Sequence, residues 1–99
     1  MLNLTSIAQS GLQAAQNRLG ASAHNIANGP TDGFKRVVAQ ANAQPQGGVQ
    51  VTFSRAATEG ADVNQDVVDQ LSAKQSFAAN LAVLKTADQV MGSLLDTKA

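Results

Sequence analysis

The residues of this chain whose types suit catalysis or metal binding are few and scattered. His24 is the single histidine and cysteine is absent, so a metal site would need carboxylates, of which only Asp32 is close in sequence. One histidine without a spaced serine and acid offers little general acid–base chemistry. The Gly47-Gly48 pair lacks the Lys-Ser/Thr of a phosphate loop. The sequence therefore predicts a helix-surface histidine and a protein that is not an enzyme, with no metal and no cofactor.

Charge and hydropathy exclude further classes of partner. The formal net charge is zero, and Lys35-Arg36 is too short a basic run, without aromatic residues beside it, to bind nucleic acid. No apolar run approaches transmembrane length. The first residues lack the basic start and apolar core of a cleavable signal peptide. We expect no nucleic acid, no small-molecule substrate, and any export to proceed without a cleaved signal.

The composition indicates a small hydrophobic core. Apolar residues make up 43% of the chain, but they include three Phe and no Trp or Tyr. Large side chains supply most of the area that a core can bury, so a self-contained fold of 99 residues with this composition would be marginal. The pattern favours a long surface that neighbouring chains complete.

The sequence pattern of residues 3–28 predicts the first helix, which carries His24. Apolar or small residues recur every three or four positions, and they form a narrow stripe typical of close helix packing. Gly11 and Gly20 lower its stability by up to about 1 kcal/mol each relative to Ala, so the helix needs a partner. The stripe consists of Leu4, Ala8, Leu12, Ala15, Leu19, Ala23 and Ile26.

Residues 29–61 predict a turn followed by a short β-hairpin, with an irregular loop as the alternative. Gly29-Pro30 and Asp32-Gly33 end the helix and reverse the chain. Residues 37–38 and 49–53 read as short strands, and the turn formers of 44–48 lie between them. A two-stranded hairpin is barely stable alone, so it must lean on a helix or another subunit.

Residues 62–97 predict a second, longer helix. Asp62 or Asn64 can cap it, and the acidic residues of its first turns suit the helix dipole. From Phe77 onward apolar residues repeat by sevens and form a face wide enough for more than one neighbour. The rows of this repeat are Phe77, Leu84 and Met91; Leu81 and Leu95; Val83 and Val90; Ala87 and Leu94.

The predicted architecture is a single domain over residues 1–99 of the mainly α class. Its two long helices pair antiparallel in a coiled-coil-like manner, and a turn and a short β-hairpin or irregular loop join them. Asn25, Asn28 and Thr31 are expected to satisfy backbone groups at the reversal. We expect Phe34 to dock beside the helices.

Two blocks resemble the terminal signatures of the bacterial flagellar rod and hook family of axial proteins. The first is similar to an asparagine-isoleucine-alanine-asparagine motif followed by threonine, glycine, an aromatic residue and lysine. The second is similar to the terminal helix of the family, with an aromatic residue, Ala-Asn and a closing Leu-Leu. The first block is 22–28 with Thr31, Gly33, Phe34 and Lys35, and the second is 77–80, 85–88 and 94–96.

The resemblance implies a structural subunit of the basal-body rod, self-assembling through its terminal helices and serving motility. Its partners would be itself, other flagellar axial proteins and the type III export apparatus, in the periplasmic rod. The short connection between the helices favours a proximal-rod-type protein, while residues 72–75 depart from the family pattern. The implied turn and subunit-contact motif is Asn25, Ile26, Ala27, Asn28, Thr31, Gly33, Phe34 and Lys35. The implied packing and assembly residues are Leu12, Leu19, Phe77, Asn80, Leu81, Leu84, Asp88, Met91, Leu94 and Leu95.

Two other functions remain open from the sequence. A non-polymerising adaptor or export-related paralogue would use the same helices to bind rod subunits in small closed complexes. A small autonomous helical domain would melt cooperatively as an isolated monomer.

Overall fold

The chain forms an elongated body of 63 × 24 × 14 Å built from two helices and a hairpin. The computed structural model describes the backbone of residues 2–98 and the side chains of residues 4–96. The elements follow in the order helix α1 (Leu2–Asn28), strand β1 (Val37–Ala43), strand β2 (Val49–Arg55) and helix α2 (Val63–Lys98).

The end of α1 and the start of α2 follow local sequence signals. After Asn28, Gly29 and Pro30 leave the helix, and the Thr31 amide donates to the Asn28 carbonyl at 2.9 Å. At the other end of the connection, the Gln65 amide donates to Asp62 Oδ1 at 3.1 Å. Asp62 thus satisfies one of the free amides of the first turn of α2, and the predicted cap at this position is confirmed.

The helices α1 and α2 pack in opposite directions through small side chains. Asn25 is bonded to Asp66 and Arg18 to Ser72, while Gly11 lies against Asn80, so the contacts run in reverse order along the chain. Alanines let two helices approach closely but bury little area each. Within residues 4–96 the buried apolar side chains are Ala8, Ala14, Ala15, Ala21, Ala73 and Ala87.

Strands β1 and β2 form an antiparallel hairpin in which Val37 faces Arg55 and Ala43 faces Val49. The turn between them is closed by the Gln44 amide, which donates to the Gly48 carbonyl at 3.0 Å. Gly47 and Gly48 have φ angles of 98° and 90°, a region that residues with a Cβ rarely adopt. The chain between the helices is therefore a hairpin, and the irregular-loop alternative does not hold.

The hairpin lies along α1 and is fixed to it at both ends. At its base the Val37 backbone bonds Asn25, and at its tip the Val49 amide donates to Ser10 Oγ at 3.0 Å. Ser10 and Asn25 are about 22 Å apart along a helix, and a strand of seven residues spans about 23 Å. Because these two lengths match, one side of the hairpin covers α1 between Ser10 and Asn25.

The predicted fold class, mainly α with a coiled-coil-like helix pair, is wrong. The chain combines two helices with a two-stranded antiparallel sheet, and the sheet packs on α1 as a second partner of that helix. The apolar repeat of α2 forms only part of the interface with α1, through the half-buried Phe77 and Leu84 and the buried Ala87. The fully buried residues of α2 are Asp66, Ala73 and Ala87, because the close approach of the helices leaves room only for short side chains.

Candidate functional site

The side chain of Asn25 connects α1 to the hairpin. Its Nδ2 donates to the Val37 carbonyl at 2.9 Å, and its Oδ1 accepts from the Val37 amide at 2.7 Å. The same Nδ2 donates to Asp66 Oδ1 at 3.1 Å. Asn25 is 2% exposed. Its Nδ2 has two acceptors and its Oδ1 has one donor, as a buried amide requires.

Asp66 and Arg36 form a buried ion pair beside Asn25. Arg36 Nε donates to Asp66 Oδ2 at 3.3 Å, and Arg36 Nη2 bonds Asp66 Oδ1. The Asp66 side chain is 1% exposed and that of Arg36 is 16% exposed. The hydrogen bond to Asp66 raises the pKa of Arg36, outweighing the opposite effect of its burial. We call Asn25, Arg36 and Asp66 the polar cluster.

The turn after α1 packs next to the polar cluster. Asn28 Nδ2 donates to the His24 carbonyl one turn earlier at 2.9 Å, which folds this side chain back along the helix. The Phe34 ring lies against the His24 ring with centroids 5.6 Å apart and planes tilted by 58°. The Gly60 amide then donates to the Phe34 carbonyl at 2.9 Å. The two ends of the connecting segment are thereby held together.

The residues predicted at the turn lie in one region of the structure but differ in burial. Asn25 is buried, while Asn28 and Phe34 are half-buried. Thr31 takes part through its backbone, since its carbonyl accepts from the Phe34 amide at 3.2 Å. The remaining members of the motif are exposed: Ile26, Ala27, Thr31, Gly33 and Lys35.

The residues predicted for packing and assembly divide between the helix interface and the outer surface. Asn80 lies over Gly11, where a methyl group would be 2.6 Å from Asn80 Cγ. This close approach explains why glycine is present in the middle of α1. The half-buried members are Leu12, Phe77, Asn80 and Leu84, and the exposed members are Leu19, Leu81, Asp88, Met91, Leu94 and Leu95.

Two exposed apolar patches lie near opposite ends of α2. The N-terminal patch has side chains 42–60% exposed, and the C-terminal patch has side chains 45–65% exposed. Each patch gathers four large apolar side chains, whereas the buried apolar side chains of residues 4–96 are all alanines. The N-terminal patch is Val63, Val67, Val68 and Leu71, and the C-terminal patch is Val90, Met91, Leu94 and Leu95.

The C-terminal patch continues the face by which α2 packs on α1. Met91 and Leu94 follow the buried Ala87 by four and seven residues, so they lie on the same side of the helix. With 36 residues against 27, α2 is about 13 Å longer than α1. Because the two helices are aligned at Asn25 and Asp66, the excess length lies at the C-terminal end of α2.

Sequence reasoning missed Arg36, Asp66 and Ser10. By its sequence pattern, Asp66 is one of the acidic residues that suit the dipole of the second helix, and Arg36 is part of a short basic pair. The available signal was the position of two opposite charges at the two ends of the connection between the helices. Nothing in the local sequence around Ser10 distinguishes it from an ordinary serine in a helix.

The described residues contain no group of three or more His, Cys, Asp or Glu side chains arranged to hold a metal ion. Neither α1 nor α2, as far as the structure describes them, combines the length and hydropathy of a membrane span. The arrangement of this surface is suited to protein–protein contact, since the apolar patches and the turn are its distinguishing features.

Comparison with known families gives a match within the first 35 residues. Residues 6–35 match the family model described as "Flagella basal body rod protein". The match spans most of α1 and the turn up to Lys35, and it includes Asn25 of the polar cluster. None of the curated proteins matches the chain. Residues 6–35, about a third of the chain, are thus similar to the flagellar basal body rod family, and the resemblance seen in the first sequence block is confirmed.

Proposed function

We propose that this chain is a subunit of the flagellar rod that polymerises by burying the two apolar patches of α2 against neighbouring subunits. The family supports the structural role and the location at the basal body. The proposal includes polymerisation through the helices and a position of the proximal-rod type in the periplasm. It also includes export through the type III apparatus without a cleaved signal. The partners are further copies and other rod proteins.

The single observation that carries the proposal is the inverted distribution of apolar side chains. The interior of residues 4–96 contains alanines, while Leu71, Leu94 and Leu95 are 54–65% exposed. An isolated globular protein gains its stability by burying its largest apolar residues. A subunit of a polymer instead keeps them for contacts that form on assembly.

The energy available from these patches suits contacts with several neighbours. Burying the exposed half of a Val, Leu or Met side chain is worth about 0.7–1.5 kcal/mol, so the eight residues of both patches provide roughly 6–12 kcal/mol. Association costs about 4–15 kcal/mol in lost freedom. One contact would therefore be weak, and a stable assembly needs several contacts for each subunit.

The placement of the patches favours an open assembly. Their centres are about 25 residues apart on α2, or about 38 Å, and they differ in sequence. If the C-terminal patch of one copy contacts the N-terminal patch of the next, the contact is heterologous and leaves one patch free at each end. Repetition of such a contact produces a helical polymer when the rotation does not close.

The proposal is tested by sedimentation velocity and electron microscopy of the full chain over a concentration series. We expect wild-type protein to form growing helical polymers, and Leu94→Asp to remain small, because a carboxylate cannot be buried unpaired in an apolar contact. Gln89→Asp is the matched control, since it adds the same charge at an exposed polar position of α2 and should polymerise.

Three outcomes would contradict the proposal. Equal polymerisation of Leu94→Asp and Gln89→Asp would remove the C-terminal patch from the contact. Closed complexes of fixed size at every concentration would indicate a non-polymerising adaptor. A monomer at every concentration, melting cooperatively, would indicate an autonomous helical domain.

A further inference from the structure

Three elements meet at the buried carboxylate of Asp66. Asn25 comes from α1, Arg36 immediately precedes the first residue of β1, and Asp66 itself is in the first turns of α2. Asn25 and Asp66 are the largest fully buried side chains among residues 4–96. The contact between the largest fully buried side chains is therefore polar, and Arg36 at the base of the hairpin joins it.

We infer that the polar cluster couples the hairpin to α2, so that seating of the hairpin on α1 and docking of α2 on α1 stabilise each other. Apart from Arg36, which extends from the base of β1, the hairpin packs on α1 and not on α2. A simple view would treat the two as independent partners of α1. The inference is independent of the proposed function, since it concerns the chain as a monomer.

The coupling follows from which atoms lose their partners when one element moves. Arg36 and Val37 are adjacent, so a hairpin that leaves α1 removes the guanidinium from Asp66 and the backbone partner from Asn25. An anionic carboxylate left in the interior without its cation is strongly destabilised. The departure of the hairpin therefore weakens the docking of α2.

The reverse movement has the same effect. If α2 leaves, Arg36 loses both of its bonds to Asp66, and Asn25 Nδ2 loses one of its two acceptors. The alanine interface between the helices supplies little hydrophobic stabilisation to compensate. Coupling between two binding equilibria is reciprocal, so a partner that holds the hairpin on α1 would also hold α2 in place.

Amide hydrogen exchange of the full chain, at a dilution at which it is monomeric, tests this coupling. The reporter for the hairpin is the Val49 amide, which bonds Ser10 at the tip, about 22 Å along α1 from Asn25. We expect Asp66→Asn, a change in α2, to accelerate exchange at Val49 by about tenfold or more. We expect Arg36→Met, a change beside the hairpin, to accelerate exchange in residues 67–73 of α2 to a similar extent.

Matched controls separate the cluster from general charge effects. Asp69→Asn removes a carboxylate three residues further along α2, where its partner is Gln65, and Lys35→Met removes an exposed cation next to Arg36. Neither should change exchange in the other element. If either cluster variant unfolds the whole chain, Arg36→Lys gives the same comparison with a milder change, because lysine keeps the charge but loses the two-pronged geometry. Accelerated exchange confined to the mutated element in every variant would overturn the inference.

Discussion

Asn25 pairs with Val37 through two hydrogen bonds, from Nδ2 to the carbonyl at 2.9 Å and from the amide to Oδ1 at 2.7 Å. A side chain on a helix thus satisfies both backbone groups of the first residue of β1, as a neighbouring strand would. The remaining hydrogen of the amide goes to Asp66. A single residue of α1, within the segment that matches the rod family model, therefore fixes where the hairpin starts along α1.

Asn25→Asp should destabilise the chain by about 2–4 kcal/mol. The change keeps the size of the side chain but replaces a donor by an acceptor, so that the Val37 carbonyl loses its partner and two carboxylates face each other at Asp66. Urea unfolding followed by circular dichroism measures the loss. The matched control is Asn28→Asp, at a half-buried amide that donates to the His24 carbonyl, and it should cost about 1 kcal/mol. Similar losses for the two variants would contradict the role assigned to Asn25.

Gly11→Ala should destabilise the helix pair although alanine is the better helix former. The propensity gain is about 1 kcal/mol, but the new methyl group would overlap the Asn80 amide, and overpacking of this kind costs about 1–3 kcal/mol. Gly20→Ala is the control, because nothing lies within 4 Å of a methyl group there; it should raise stability by about 1 kcal/mol. Thermal melting of both variants gives the comparison, and a gain in both would show that Asn80 moves aside freely.

How much of the fold can be predicted from this sequence depends on how far along the chain each residue exerts its effect. Gly29-Pro30 and Asp62 act on their own neighbours, so the end of α1 and the start of α2 were predictable. The packing of the hairpin on α1 depends on Ser10 and Asn25 meeting Val49 and Val37, which are 39 and 12 residues away. No local pattern carries such pairings, and the fold class was therefore wrong.

The apolar repeat of α2 illustrates a second limit. Periodicity shows that Leu94 and Met91 share a face, but it does not show whether that face meets the same chain or another one. In the structure the N-terminal end of α1, which lies nearest to this part of α2, does not extend as far as these two residues. The Arg36–Asp66 pair was missed because a charged residue in a first helical turn is usually solvated, and only the tertiary fold buries this one.

Ser10→Ala should release the tip of the hairpin while leaving the helices in place. The hydroxyl accepts from the Val49 amide at 3.0 Å and donates to the Ile7 carbonyl at 2.8 Å. The lost bond costs about 1 kcal/mol, and the higher helix propensity of alanine offsets about half of it. Hydrogen exchange at Val49 should rise several-fold, with little change in global stability. Ser6→Ala, at an exposed position one turn earlier, should leave Val49 unchanged, and an unchanged Val49 in both variants would show that the hydroxyl does not hold the tip.

Leu84→Asp and Leu95→Asp should separate folding from assembly. Leu84 is half-buried, so a charge there weakens the monomer itself, by about 2 kcal/mol or more. Leu95 is 65% exposed, and its replacement should leave helicity and melting of the dilute monomer unchanged while reducing polymerisation. Circular dichroism at low concentration and sedimentation at high concentration give the two readouts. If Leu95→Asp lowers the helicity of the monomer as much as Leu84→Asp does, the C-terminal patch supports the fold of the single chain and is not reserved for neighbouring subunits.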